Sequence, residues 1–211
     1  MDRHRPGSKI WAVLAGILLT LLAALPASAC RLAVLGDSLT AGLGVAEGDA
    51  FPVRLEAALR QRGVDCSVIN AGVSGDTSAG GAARLDWVLG DQPSHLLVEL
   101  GGNDALRGLP VDQLRANLDQ IITTATARGV QVMLAGMLAP PNLGRSYGEA
   151  FKQTYIDLAR QHAIDLYPFF LDGAVMQSAL MQADGIHPNA RGVDVIVERI
   201  TPMVASFLED E

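Results

Sequence analysis

The chain has 211 residues, 49% of them hydrophobic, with 16 Lys and Arg against 23 Asp and Glu and a formal net charge of −7, which suits one ordinary globular domain. An acidic chain with no basic run in its domain argues against a nucleic-acid ligand or an anionic membrane surface as partner. There is no C-x-x-C, no H-E-x-x-H and no internal repeat, which argues against a structural zinc site.

Residues 1–29 read as a segment outside the fold. Arg3, Arg5 and Lys9 lead an uncharged apolar run over 10–25, and Pro26 with Ala27-Ser28-Ala29 supplies the small-residue cleavage pattern of a secretory signal. The run is short for a bilayer span and meets the A-x-A pattern directly. Cleavage is therefore expected, leaving a domain over 30–211 in the periplasm or outside the cell, without stable membrane insertion. Both cysteines, Cys30 and Cys66, fall in that exported part, where a disulfide persists.

Beyond the leader, short apolar runs alternate with longer amphipathic stretches. A run at 32–35 precedes a helical stretch at 51–62, 67–69 precedes 79–89, and 96–100 precedes 111–128. The pattern continues with 130–138 before 147–162 and closes with a weak run at 164–167 before 189–208. Apolar runs bounded by Gly, Asp and Pro and separated by helical stretches predict β-α units around a parallel sheet of about five strands, helices on both faces, in a three-layer α/β/α sandwich.

In such a sheet ligands bind beyond the carboxyl ends of the strands. Ser38 follows the first strand, "GVSGDT" (72–77) the second, "GGND" (101–104) the third, and residues 139–142 the fourth, so polar and glycine content gathers at one edge. The histidines can be tested singly. His4 leaves with the leader, His95 stands before the third strand at the opposite edge, and His162 ends a helical stretch, where a cation commonly sits. His187 remains, in "ADGIHPNARG" with Asp184 three residues before it. In a turn, that spacing folds the carboxylate back onto the imidazole; on spacing alone, Asp184 and Asn189 serve equally as caps of the helix that follows.

Gly-Asp-Ser around Ser38 is also ordinary turn composition, with Asp37 or Ser38 capping a helix, and Ser67, Ser74 and Ser78 are competitors. No G-x-S-x-G surrounds any of them, and Gly42, Gly44 and Gly48 depart from the G-x-G-x-x-G phosphate loop. An oxyanion requires converging donors. The backbone N–H groups of Ser38 and Gly72 and the Asn103 side-chain amide stand in loops of the same edge; Asn103 alone reads first as an ordinary turn residue, and the combination carries the weight. Met133, Met137 and Leu138 approach that edge from the fourth strand and read first as core packing. Specificity is expected from residues 105–110 and 139–148.

Four blocks in order, Gly36-Asp37-Ser38-Leu39, Gly72 within "NAGVSGDT", Gly102-Asn103-Asp104 and Asp184-Gly185-Ile186-His187-Pro188, resemble the SGNH (GDSL) hydrolase family, over 32 to about 208. Within it the chain looks most like the exported arylesterase, acyl-thioesterase and lysophospholipase group. The resemblance implies a flavodoxin-like sheet, Ser38 as nucleophile, Gly72 and Asn103 with Ser38 as oxyanion donors, Asp184 and His187 as acid and base, and neither metal nor cofactor, so that Asp37, Asp76 and Asp104 take turn or capping roles. The expected substrate is a small-molecule ester or thioester. The alternatives are a carbohydrate O-acetyl esterase acting on cell-envelope sugars and a non-catalytic binding protein on the same fold.

Cys30 and Cys66 each stand just before an apolar run. If those strands are neighbours, a strand spacing of about 4.8 Å suits a disulfide between them. A lipid on Cys30 is the competing fate, disfavoured by Ala27 where a larger aliphatic residue is expected.

Overall fold

The computed structural model describes residues 30–209; the expected leader, 1–29, lies outside them. Strands β1 (Arg31–Gly36), β2 (Ser67–Gly72), β3 (His95–Glu99), β4 (Gln131–Ala135) and β5 (Asp165–Tyr167) pair in parallel in the order β2-β1-β3-β4-β5. The central β3 is buried at every position, whereas the edge strands β2 and β5 are partly exposed. A parallel strand covered by helices on both sides is apolar on both, which is why β1 and β3 read as unbroken runs rather than alternating ones.

Helices α2 (Phe51–Gln61) and α7 (Ala190–Glu209) pack together in one layer; α3 (Ser78–Gly90), α5 (Val111–Ala127) and α6 (Arg145–His162) form the other. In α5, Leu114, Leu118, Ile121, Ile122 and Ala125 are buried, one stripe at helical spacing facing the sheet. Two short helices, α1 (Ser38–Ala41) and α4 (Gly102–Leu106), follow β1 and β3 directly; a single turn is too short to leave a periodic signal.

The fourth strand is shorter than the 130–138 run suggests. Beyond Ala135, the Gly136 N–H donates to the Tyr167 carbonyl (2.8 Å) and the Gly136 carbonyl accepts from Phe170 N–H (2.8 Å). A Cβ at Gly136 would lie 2.5 Å from the Pro168 carbonyl oxygen. The chain turns out of the sheet here, and this turn carries Met137 and Leu138 toward the carboxyl edge.

On β2 the N–H groups of Ser67 and Val73 point toward β1, donating to the carbonyls of Cys30 and Gly36 at 3.1 and 3.0 Å. The intervening even-numbered N–H groups therefore face away from the sheet. Val68 N–H donates to Glu56 Oε2 of α2 at 2.8 Å, and Gly72 N–H to Asn70 Oδ1 at 3.0 Å. The Val68 N–H is the main reason the Glu56 carboxyl titrates below its ordinary range.

Cys30 and Cys66 are joined in a disulfide with Cα atoms 4.6 Å apart, at the amino ends of the neighbouring strands β1 and β2. The bridge closes a 36-residue separation. On loop-entropy grounds reduction is expected to cost about 4 kcal/mol of stability. Because the bridge lies at the sheet edge opposite Ser38, kcat at room temperature stays unchanged; denaturant titration and ester hydrolysis with and without reductant measure both.

Candidate active site

Gly36 ends β1 and Asp37 caps α1, its Oδ1 accepting from Leu39 N–H at 2.9 Å. Ser38 is thus the first residue of a helix that starts at the carboxyl edge of the sheet, where its own N–H has no intrahelical acceptor. Its Oγ lies 2.9 Å from His187 Nε2. On the other side of the ring, Nδ1 lies 2.6 Å from Asp184 Oδ2. An ionised Asp184 accepts a hydrogen bond from His187 Nδ1–H and so leaves Nε2 as acceptor for the serine hydroxyl.

Asp184 also accepts at Oδ1 from the backbone N–H groups of His187 (3.0 Å) and Ile186 (2.9 Å). These donors, the His187 N–H first, lower its pKa to about 2, so it is a carboxylate throughout the working range. The three-residue spacing therefore makes a turn beneath the imidazole. The cap of α7 is Asn189 instead, with Oδ1 accepting from Gly192 N–H at 3.1 Å. Gln182, which carried no sequence signal, anchors this loop: its Nε2 donates to the carbonyls of Leu43 (2.7 Å) and Pro188 (2.9 Å), and its N–H to that of His187 (2.7 Å).

Asn103 lies in α4, after β3, with Nδ2 donating to Asp37 Oδ2 at 3.0 Å, which leaves its second amide proton free. Asp37 is nearly fully buried, and that burial raises its pKa to about 6 despite the Leu39 and Asn103 donors. Behind it sits Glu99, fully enclosed at the end of β3, accepting at Oε2 from Thr40 Oγ1 (2.8 Å) and Asp37 N–H (3.3 Å). Desolvation, with the Asp37 charge alongside, pushes the Glu99 carboxyl well above its usual range.

Gly72 corrects the sequence expectation. It ends β2, its N–H turned outward onto Asn70, and a Cβ there would lie 2.3 Å from the Ala41 backbone nitrogen. Its role is to let β2 approach α1, and it lines no part of the cleft. Three residues on, Gly75 does line it, at φ +84° in the turn closed by Asp76 N–H to the Val73 carbonyl (3.0 Å). The Gly75 N–H has no acceptor among the described residues. The signal was available, since a strand register that runs to Gly72 places Ser74-Gly75 in the loop beyond.

The cleft has a volume of 640 Å³ and is lined by Ser38, Gly75, Asn103 and His187 together with Leu43, Leu106, Leu138, Pro140, Phe169 and Val175. Leu106 and Pro140 come from the two loops expected to set specificity; Leu43, Phe169 and Val175 were not foreseen. Met133 is core, as expected, but Met137 also faces the cleft and Leu138 is largely exposed in it. Of the competing serines, Ser67 bonds the Cys30 carbonyl at the far edge and Ser78 is buried against Asp104. Ser74 reaches the cleft without a base. His95 begins β3, and His162 Nε2 pairs with Asp119 (2.6 Å). Asp76 and Asp104 face Arg84 and Ser78, as turn and capping residues do.

A hydroxyl, an imidazole and a carboxylate in line at the carboxyl edge of a parallel sheet define a serine hydrolase. The sequence pattern of the GDSL-like Lipase/Acylhydrolase family matches residues 34–195. The chain belongs to that family. It is 41% identical over 197 residues to esterase TesA of Pseudomonas aeruginosa, covering 93% of this chain and 98% of that one. It is 39% identical over 193 residues to thioesterase 1/protease 1/lysophospholipase L1 of Escherichia coli K12, covering 89% and 91%. Among solved structures, TesA superposes with a TM-score of 0.80 at 42% identity, over 84% of this chain and 99% of that one. The psychrotrophic esterase EstA of a Pseudoalteromonas species, inhibited by monoethylphosphonate, superposes with a TM-score of 0.81 at 31% identity, over 85% and 99%.

Proposed function

We propose that the protein is an exported serine esterase that hydrolyses carboxylic esters or thioesters with an apolar acyl chain. The observation that carries this reading is the unbroken Ser38–His187–Asp184 hydrogen-bond line opening into an apolar cleft. The names esterase and thioesterase among relatives near 40% identity support it. Ser38 Oγ attacks the acyl carbon as its proton passes to His187 Nε2. The resulting oxyanion is received by the N–H groups of Ser38 and Gly75 and by Asn103 Nδ2. His187 then protonates the leaving alcohol or thiol as the C–O or C–S bond breaks, leaving the acyl group on Ser38. Water loses a proton to Nε2, attacks the acyl carbon, and collapse returns the proton to Ser38 Oγ and frees the acid. The disulfide fits an oxidising compartment such as the periplasm.

A panel of 4-nitrophenyl esters and acyl-thioesters of graded length tests the substrate class. Each methylene buried against Leu106, Leu138 and Phe169 contributes about 0.8 kcal/mol, so kcat/KM rises up to about fourfold per methylene until the cleft is filled. A carbohydrate O-acetyl esterase would instead fall away beyond acetyl, and a binding protein would give no burst of product.

A further inference from the structure

The oxyanion donors named above come from three separate loops, and three separate polar ties hold those loops together. Asp37, adjacent to Ser38, holds the Asn103 amide. Arg107, just past the end of α4, donates from Nη2 to the Gly75 carbonyl at 2.8 Å. Arg84 of α3 closes the circuit: its Nε donates to Asp76 Oδ2 at 2.6 Å and its Nη2 to the Gly36 carbonyl at 2.9 Å. Gly36 is two residues before Ser38, and Asp76 is one residue after Gly75. One planar guanidinium thus spans the end of β1 and the turn after β2.

We propose that Arg84 is a positioning residue for the oxyanion site, fixing the turn that carries the Gly75 N–H at a set distance from the Ser38 N–H. The proposal rests on the reading of Ser38, Gly75 and Asn103 as oxyanion donors. Arg84 and Asp76 are each less than one-fifth exposed, so the pair is poorly screened and its geometry is firm. A guanidinium presents several donors in a rigid fork, whereas the ammonium of lysine is a single point on a flexible stem. Lysine at 84 reaches Asp76 or the Gly36 carbonyl, and the turn is then free to drift. Donors act on a developing oxyanion only when held in place beforehand, and a displacement of about 1 Å costs up to about 10²-fold in rate.

Gly80 gives access to the same tie without touching Arg84. A Cβ there would lie 2.6 Å from Asp76 Oδ1, so Gly80→Ala displaces the carboxylate that Arg84 holds, while alanine within α3 is the better helix former. A residue that serves stability alone would predict the opposite pairing of effects.

The experiment compares Arg84→Lys and Gly80→Ala with the wild type by steady-state hydrolysis of a 4-nitrophenyl ester, thermal unfolding, and inhibition by an alkylboronic acid, whose tetrahedral adduct puts an oxygen in the oxyanion site. Arg84→Lys is expected to lower kcat about tenfold with KM within about twofold, and to weaken boronate inhibition in the same proportion. Gly80→Ala is expected to lower kcat severalfold at an unchanged or raised Tm. Wild-type kcat and boronate affinity in folded Arg84→Lys overturn the proposal, and if that variant does not fold, wild-type values in Gly80→Ala do so. Failure of the underlying reading looks different: Asn103→Ala would then leave kcat unchanged, whatever Arg84→Lys does.

Discussion

Ser38→Ala is expected to abolish ester hydrolysis, with kcat falling on the order of 10⁶-fold, equivalent to about 8 kcal/mol of barrier. Removing the hydroxyl deletes the atom that forms the acyl-enzyme, and the rest of the site has no substitute: Ser74 lines the same cleft, but His187 Nε2 bonds Ser38. Stability should barely change. The side chain makes one hydrogen bond, to a ring nitrogen that faces the cleft, so Tm is expected within a degree or two of the wild type. Labelling with a reactive phosphonate, followed by peptide mass analysis, gives the complementary result. The modification lands on the peptide containing Ser38 in the wild type and is absent from the variant. Substantial turnover in purified Ser38→Ala would make another serine the nucleophile.

Asn103→Ala carries two expected effects with separate causes. As a donor used in the transition state, the amide is worth about 10²- to 10³-fold in kcat, with little change in KM. It is also a hydrogen-bond donor to a buried acid. Asp37 already titrates at about 6, raised chiefly by burial and lowered in part by Asn103, so losing that donor raises it further. A carboxyl whose folded pKa lies above its unfolded value contributes stability at low pH that is lost as pH rises through the folded pKa. In the wild type that loss runs from the ordinary aspartate value of 3.8 to about 6 and is then complete. In Asn103→Ala it continues upward, so the deficit relative to wild type opens as pH rises through about 6 and grows above it. Steady-state kinetics and denaturant melts across that range measure the two effects independently, and an unchanged kcat removes Asn103 from the oxyanion site.

All five strands and the five long helices stood close to their final places in the sequence, because each is an apolar run or an amphipathic stretch of sufficient length to carry a period. The edge at which Ser38, Asn103, Asp184 and His187 gather was legible for a related reason, since a parallel sheet collects its ligands beyond the carboxyl ends of its strands; spacing alone left turn and capping roles open for these residues, and only the four-block resemblance gave them parts in catalysis. Gly72 and Gly75 stand three residues apart in one glycine-rich stretch, and only strand register, which ends β2 at Gly72 and puts Gly75 in the turn beyond, separates them. Asp37 and Gln182 act through contacts that depend on the three-dimensional path of loops. Glu99 did leave a trace, a single acid inside the otherwise apolar 96–100 run; its meaning came only with β3 buried on both faces beside Asp37.

The hydrogen bonds on the outer side of β2 bear on the company this molecule keeps. A border strand with bare N–H and carbonyl groups is a template on which a strand from another molecule can be laid down. Here Glu56 and Asn70 occupy the outward N–H groups of Val68 and Gly72, and the disulfide fastens the start of the same strand. A foreign strand would have to displace a charged acceptor before gaining its first rung. The guard is itself sensitive to acid, because the Glu56 carboxyl lies below its ordinary range and its contribution is lost as pH falls through that depressed value. Two of the three outward N–H groups of this border are thus occupied at neutral pH, and the charged one of the two acceptors loosens its hold in acid.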